Sequence, residues 1–278
     1  MKLYHYTTID KLALILKNKT IRFNRLDRVD DIEEGAISPA GVRMGQYTFV
    51  SCWTKDDEES IPLWKMYTAN GKGVRIGLEY DMFKTYDNSA VLQCGAITFN
   101  MKGTAWERTF TPLEDMVNSK YMVIPVGEKE LNHILKDIQY VDNVAEAISS
   151  SVFFNQITPT YETVTFSTRT LGAYKNKRWK FEEETRYVLL ILPGGVFKQV
   201  KSFNTDFSQC IYEALKNNLP NSITHYDLHL KEDVFESLDI VLGPMCSKGE
   251  QIIVEALCAK YAPDARINMS CLQGNLRF

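Results

Sequence analysis

The run of residues 184–192 constrains the fold of this chain more than any other feature of its sequence. It reads ETRYVLLIL and is followed by Pro193, Gly194 and Gly195, which end a regular strand. Its second half is a continuous stretch of Val, Leu and Ile, which is typical of a strand buried inside a sheet. Its first half carries Glu184 and Arg186. The fold must therefore accommodate charged side chains at the mouth of a buried strand.

Shorter strand patterns surround this run and alternate with helical segments. Extended segments are predicted at 3–7, 21–23, 47–53, 74–80, 91–99, 184–192, 238–242 and 265–269, and helices from Ile9, from Ser60 and Pro62, and over 113–155, 206–217 and 250–261. Strands come first, then a helical region, then strands again. We therefore predict an α+β fold with a mixed, mostly antiparallel β core. No linker divides the chain, so we predict a single domain over 1–278 with a largely helical insert at about 113–160.

The net charge, the hydropathy and the cysteines of the chain bear on which partners and which compartment are expected. The 278 residues contain 32 Lys and Arg against 35 Asp and Glu, a formal net charge of −3, so no strongly basic nucleic-acid surface is predicted. No apolar run approaches the roughly 18 residues that span a bilayer, and residues 1–6 do not resemble a secretory signal. The six cysteines include no C-x-x-C pair. Scattered reduced thiols predict a cytoplasmic protein without a membrane partner.

A histidine stands at the end of the first predicted strand. His5 lies in LYHYT, two residues before Thr7 and directly before a predicted helix. A histidine in this position can point its ring into a cleft, where the Thr7 hydroxyl can bond the ring or the backbone. The alternative is a histidine whose hydrogen bonds are satisfied in the core.

Aromatic residues follow on the next strand and helix. Ser51 and Trp53 lie on the strand VSCWT, and Trp64 and Tyr67 follow on the helix after Pro62. Flat aromatic walls suit stacking on a planar ring such as a nicotinamide or a base. The alternative is an aromatic cluster in the core.

The pattern K-x3-W-x2-E-x-E-x-R joins Lys175 to the start of the buried run. In an extended chain Glu182, Glu184 and Arg186 would lie on one face. A glutamate there can stabilise an oxocarbenium-like transition state or bond a ribose hydroxyl, and Arg186 can hold one carboxylate ionised. The alternative is a solvated cross-strand ion pair.

Three weaker patterns complete the candidates. His225 and His229 have the spacing of a zinc pair on a helix, but their surroundings alternate like a strand and no third ligand is evident. The acidic residues of segment 30–34 lack the spacing of a calcium loop and predict a solvated loop. Segment 70–73, NGKG, predicts a turn. We therefore predict no metal site.

Together these pieces resemble a bacterial family catalogued as domain of unknown function 2971. The matching features are Phe23 and Asn24 with the acidic residues after them, the strand Ser51-Cys52-Trp53, the pattern Trp64-x-x-Tyr67, the strand from Gly73 to Asp81, the pattern from Lys175 to Arg186, and Leu242-Gly243-Pro244. The pattern from Lys175 to Arg186 is the most specific of these. The match runs over most of the chain, with 105–160 least constrained. The resemblance implies no activity by itself.

The layout also resembles, more distantly, the ADP-ribosyltransferase fold of the class that uses a histidine, a tyrosine and a glutamate. Those enzymes open with a histidine on a strand, followed within two residues by Ser or Thr, as His5 and Thr7 are here. A later aromatic residue stacks on nicotinamide, and a glutamate on a late strand completes the site. The resemblance implies that Tyr67, with Trp53 or Trp64, sandwiches the nicotinamide of NAD.

The same resemblance implies the remaining roles. His5 would hydrogen-bond the nicotinamide ribose, and either Glu182 or Glu184 would be the catalytic acid. We place Glu184 on the ribose 2′-hydroxyl, with Arg186 and Lys175 holding phosphate or orienting Glu182. Ser51 and Thr7 would lie with these cofactor-binding residues. The predicted function is an NAD-dependent ADP-ribosyltransferase-like protein of toxin or anti-phage defence, acting on a protein or nucleic-acid acceptor.

Two other classes of function stay open at this point. A module without turnover would use the same aromatic cleft to sense a nucleotide or a phage component. A nuclease would use the carboxylates at 30–34 or 182–184 with a divalent metal, and its activity would be abolished by a chelator.

Overall fold

The computed structural model describes residues 1–94, 97–116, 118–159, 161–194 and 203–277. Its helices are α1 (Ile9–Asn18), α2 (Ile32–Ala36), α3 (Ile61–Tyr67), α4 (Leu113–Met116), α5 (Leu131–Ile134), α6 (Val144–Ala147), α7 (Phe203–Lys216) and α8 (Lys248–Tyr261). Its strands are β1 (Lys2–Thr7), β2 (Thr20–Arg25), β3 (Thr48–Thr54), β4 (Val74–Glu79), β5 (Tyr86–Asp87), β6 (Leu92–Cys94), β7 (Ile97–Phe99), β8 (Arg108–Thr109), β9 (Tyr121–Val123), β10 (Leu135–Asp137), β11 (Gln139–Val141), β12 (Val152–Thr158), β13 (Tyr161–Phe166), β14 (Tyr174–Asn176), β15 (Glu184–Pro193), β16 (His225–His229), β17 (Asp239–Leu242) and β18 (Arg266–Met269).

A ten-stranded sheet organises the chain. Its main order is β10-β15-β3-β1-β4-β17-β18, and β2, β9 and β16 join at its sides. Among the strands described in this sheet, only β17 and β18 pair in parallel. The fold is therefore mixed α+β with a mostly antiparallel sheet, as the sequence predicts.

β15 is buried on both faces of this sheet, which explains its continuous apolar sequence. Leu189 and Ile191 belong to the large core, whereas Leu190 and Leu192 belong to a second cluster on the other side. Two-sided burial removes the alternation of polar and apolar residues that a half-exposed strand shows.

The large core lies on one face of the sheet, under α1 and α8. Leu12 and Leu16 from α1 and Val254 and Cys258 from α8 are buried in it. The helix spacing of the apolar residues after Ile9 therefore predicts the buried side of α1 correctly.

Local signals place the helix that flanks the site. The Ser60 side chain caps α3 by accepting a hydrogen bond from the Leu63 backbone amide at 3.4 Å, and Pro62 occupies the first turn. The turn at 70–73 then leads into β4, as predicted.

The largely helical insert predicted at about 113–160 is wrong. α4, α5 and α6 each have only four residues, and β9, β10, β11 and β12 fill much of the segment. Pro125 and Gly127 interrupt any long helix here. Leu135 instead pairs with Tyr187 of β15, so long-range strand pairing overrides the apparent helical spacing.

The single strand predicted at 91–99 is instead the antiparallel pair β6 and β7, with 95 and 96 outside the described residues.

Two observations bear on the predicted compartment. The five cysteines whose side chains are described, Cys52, Cys210, Cys246, Cys258 and Cys271, are all free thiols, and Cys271 is exposed. Within the described residues, no helix is both long and apolar enough to cross a membrane.

Candidate functional site

Five charged side chains are buried together on the sheet face opposite the large core. This charged cluster consists of Glu34, Lys175, Glu182, Glu184 and Arg186, whose relative exposures run from 1% to 6%. Charged residues are rarely buried unless they are paired. The cluster is therefore the strongest departure from an ordinary protein interior in the described chain.

Arg186 lies at the centre of the cluster and contacts two carboxylates. Its Nε and Nη2 donate to Glu184 Oε1 and Oε2 at 2.7 and 2.6 Å. Its Nη1 donates to Glu34 Oε1 at 2.5 Å. The fork of the guanidinium makes this two-pronged contact, which a lysine could not reproduce.

Lys175 links the other two carboxylates. Its ammonium donates to Glu182 Oε2 and lies 3.3 Å from Glu184 Oε2. The Tyr67 hydroxyl donates to the second oxygen of Glu182 at 2.6 Å. Lys175, Glu182, Glu184, Arg186 and Tyr67, all singled out from sequence, thus lie in one continuous network.

The two glutamates converge for a reason that differs from strand alternation. Glu182 ends a short 3-10 helix at Lys177–Glu182, and Glu184 begins β15. Between them Glu183 has a φ of 44°, in the left-handed region that non-glycine residues seldom occupy. The turn at Glu183, rather than one extended face, brings both carboxylates to Lys175.

Glu34 joins the cluster through a tightly packed turn. α2 begins after Asp31, whose side chain accepts from the Glu34 backbone amide at 3.3 Å. A Cβ on Gly35 would lie 2.6 Å from the Asp27 Cα, and one on Gly45 would lie 2.3 Å from the Gly35 carbonyl oxygen, so both positions require glycine. The solvated loop predicted at 30–34 is wrong for Asp31 and Glu34, which are buried.

The cluster holds more negative than positive charge. Three glutamates face two cations, so full ionisation leaves an excess of one negative charge in a buried site. Burial raises the pKa of Glu182, against the opposing effect of Lys175, and burial also raises the pKa of Glu34, against Arg186. A site of this kind readily takes up a proton.

Glu184 behaves in the opposite way. Burial acts to raise its pKa, but Arg186 and Lys175 together outweigh burial and lower the pKa of Glu184. The pKa values of two carboxylates joined by one ammonium are therefore shifted in opposite directions, that of Glu184 downwards and that of Glu182 upwards. Such divergence is a common mark of an acid–base pair.

Aromatic side chains form a rim over the cluster. The Lys175 ammonium lies 4.5 Å from the centre of the Trp179 ring. Trp179 and Phe181 are 6.0 Å apart between ring centres, and Phe181 is 42% exposed. This rim offers a partly exposed surface on which a planar ring can stack.

His5 does not belong to the charged cluster. Tyr4 pairs with Thr54, and Thr54 pairs with Glu184, so these three side chains share one face of the sheet. His5 projects to the other face, towards the large core. The predicted cleft that combines His5 with Glu184 is therefore not formed.

His5 is half-buried against other residues of the core face. Its Nδ1 is 2.7 Å from the Cys52 carbonyl oxygen, and its ring centre is 5.1 Å from that of Trp53. Burial lowers the pKa of His5, which favours the neutral ring. The Trp53 indole donates to the Ser51 hydroxyl at 3.0 Å, and Thr7 is also buried on this side. His5, Thr7, Ser51 and Trp53 thus gather apart from the carboxylates.

Trp64 also differs from its predicted stacking role. It is fully buried, with an edge-on ring contact to Tyr6 at 4.9 Å. Its indole donates to Glu59 Oε2 at 2.9 Å. No face of the Trp64 ring is open to a ligand, whereas Tyr67 on the same helix reaches the cluster.

Three polar residues of this region were not predicted from sequence as residues of an NAD site, and Glu34 was considered only among the carboxylates of a nuclease. Cys52 lies beside Glu184, and burial together with that carboxylate raises the pKa of its thiol. Lys136 pairs in register with Arg186, and burial, with Arg186, lowers the pKa of Lys136 to about 7. Glu34 adjoins a cavity of about 10 Å³, room for one water molecule. None carries a local sequence signal, because each acquires its role from partners distant in the chain.

The carboxylates of the cluster are not arranged to hold a metal ion. The Arg186 guanidinium lies between Glu34 and Glu184, and the Lys175 ammonium lies between Glu182 and Glu184. Across the described residues, no group of three His, Cys, Asp or Glu side chains could hold a metal ion. His225 and His229 lie on β16, where they do not form the helical pair considered above. The carboxylates therefore do not favour a metal-dependent nuclease.

Comparisons of the chain with protein-family models, curated proteins and solved structures gave no match. The resemblances drawn from sequence motifs stay predictions.

Proposed function

We propose that the charged cluster cleaves the glycosidic bond of NAD and transfers the ADP-ribosyl group, in the manner of an ADP-ribosyltransferase. The observation that supports this is the pairing of Glu184 with Glu182 through Lys175, with opposite pKa shifts for the two carboxyls. Cleavage of this bond builds positive charge on the ribose, which a fixed and ionised carboxylate stabilises.

The bond changes assign a role to each carboxylate. The bond from ribose C1′ to the nicotinamide nitrogen breaks, and nicotinamide leaves with the bonding electron pair. A hydroxyl of the acceptor, or water, then forms the new bond to C1′ and gives up its proton. Glu184 would stabilise the oxocarbenium-like ribose, and Glu182, whose pKa burial raises, would receive that proton.

The remaining parts of the site would position the dinucleotide. Trp179 and Phe181 offer the exposed aromatic surface for the nicotinamide ring, in place of Trp53 and Trp64. Tyr67 would orient Glu182 through its 2.6 Å hydrogen bond. Because the carboxylates are covered, the short helix at Lys177–Glu182 would have to shift for the ribose to reach them.

The test is release of free nicotinamide from NAD by the purified chain, followed by chromatography. We expect Glu184→Gln to lower the rate by about a hundredfold or more, because the variant removes the charge that stabilises the ribose cation. Glu183→Gln is the matched control, since Glu183 is adjacent, exposed and outside the cluster. It should retain the wild-type rate.

Circular dichroism checks that both variants are folded. Tyr67→Phe, which removes the hydroxyl that donates to Glu182, is a milder second variant of the site. If wild-type protein releases no nicotinamide, or if folded Glu184→Gln matches it, the transferase proposal fails. Binding of NAD without nicotinamide release would instead support a sensing module that uses the same cluster.

A further inference from the structure

A second concave site lies at the side of the sheet, along β16. The groove has a volume of about 400 Å³ and is lined by Tyr86, Tyr121, Tyr226, Glu114, Asp115 and Asp227, among others. Pockets of roughly 300–1,000 Å³ are the usual size for small ligands. None of these residues belongs to the charged cluster.

The groove carries three carboxylates, of which two have no ion-pair partner within the described residues. Glu114 and Asp115 are exposed on α4 and form no ion pair within the described residues. Asp227 is paired with Arg22 of β2, at 2.8 and 2.9 Å. Of the described residues that line the groove, none is a lysine or an arginine, and the Lys84 ammonium lies 5.5 Å from the centre of the Tyr86 ring.

The negative charges of Glu114 and Asp115 also affect the pKa values of the tyrosines that line the groove. Burial raises the pKa of Tyr86, and Asp115 and Glu114 raise it further. Burial likewise raises the pKa of Tyr121 and Tyr226, with Asp115 contributing to both. The rings of Tyr121 and Tyr226 meet edge to face, 5.8 Å between centres. Electron-rich ring faces beside unpaired carboxylates are the surroundings that an organic cation prefers.

We propose that this groove binds a small organic cation bearing alkylammonium groups, of the polyamine type. The amines would lie against Glu114 and Asp115, and the carbon chain would lie on the tyrosine rings. A metal ion fits less well, because no group of three His, Cys, Asp or Glu side chains in the described residues could hold one.

The two histidines of β16 belong to this groove. The Tyr86 hydroxyl lies 3.0 Å from His229 Nδ1, and His225 lines the same groove at the other end of the strand. His225 and His229 therefore line a polar groove.

Calorimetric titration of the full chain with spermidine tests the proposal. We expect saturable binding with a Kd below about 1 mM, and a loss of about tenfold or more in Glu114→Gln/Asp115→Asn. The matched control is Glu236→Gln/Asp264→Asn, which changes net charge equally at exposed residues outside the groove. It should bind within about twofold of wild type, since distant exposed charges are screened.

Two results would overturn this assignment. One is the absence of saturable binding by folded wild-type protein. The other is an equal loss of affinity in the groove variant and the charge-matched control, which would mean unspecific attraction. Magnesium chloride, titrated in parallel, should give no comparable saturable signal, and competition by magnesium at equal concentration would contradict an organic-cation site.

Discussion

Glu182 and Glu184 show how two identical residues, two positions apart, acquire different chemistry from their neighbours. Glu184 makes a two-pronged contact with Arg186, whereas Glu182 receives Lys175 and the neutral Tyr67 hydroxyl. The cluster contains one carboxylate more than its cations can balance. The pKa values of Glu182 and Glu34 are raised, which favours binding of a proton that would cancel this excess negative charge.

This imbalance predicts a pH dependence of stability. Burial raises the pKa of Glu182 above its ordinary value of 4.5, so the native state binds this proton more tightly than the unfolded state does. The stabilisation from Glu182 is complete below about pH 4.5 and is lost as the pH rises through the native pKa. We expect the free energy of unfolding of wild type, relative to Glu182→Gln, to fall as the pH rises above about 4.5.

Urea unfolding across this range measures the difference. Glu183→Gln, which removes an exposed charge next to Glu182, should run parallel to wild type. A flat difference between wild type and Glu182→Gln, or one that rises with pH, would mean that Glu182 is ionised at least as easily in the native state as in water.

At single residues, sequence predicts those parts of the site whose members are close in the chain. The pattern from Lys175 to Arg186 identifies four of the five cluster residues. Glu34 is missed because its partner, Arg186, is 152 positions away. The reason given for the convergence of Glu182 and Glu184 is also incomplete, since strand alternation cannot foresee the left-handed turn at Glu183.

Among the elements, those with strong local signals are predicted and those made by long-range pairing are not. α1, α3 and α8 have apolar stripes or caps that can be read in the sequence. The short strands β9 and β10 are formed by pairing with β15, which is distant in the chain. Spacings of three and four residues in segment 113–160 therefore mislead, since the helices described there have only four residues each.

α3 supplies a prediction at this scale, through the buried ring of Trp64. We expect Trp64→Ala to lower the free energy of unfolding by about 3–5 kcal/mol, because it leaves a cavity against Tyr6. Trp106→Ala, at a ring that is 38% exposed, is the matched control and should cost about 1 kcal/mol or less. Urea denaturation of both variants gives the comparison. Equal losses would show that Trp64 is not packed as described.

At the scale of the whole molecule, one sheet carries the large core on one face and the charged cluster on the other. β1, β3 and β15 lie side by side, and their registers place His5 and Trp53 on the core face and Glu184 and Arg186 on the other. The mixed α+β class can be predicted from the order of elements. The separation cannot, because it depends on strand register, in which a shift by one residue reverses every side chain.

The most direct measurement is nicotinamide release from NAD by His5→Gln and Glu184→Gln, both confirmed as folded. His5 contacts the Cys52 carbonyl and the Trp53 ring on the core face, so we expect His5→Gln to stay within about threefold of wild type. We expect Glu184→Gln to lose about a hundredfold or more. A folded His5→Gln that loses as much as Glu184→Gln would contradict a reaction centred on the charged cluster alone.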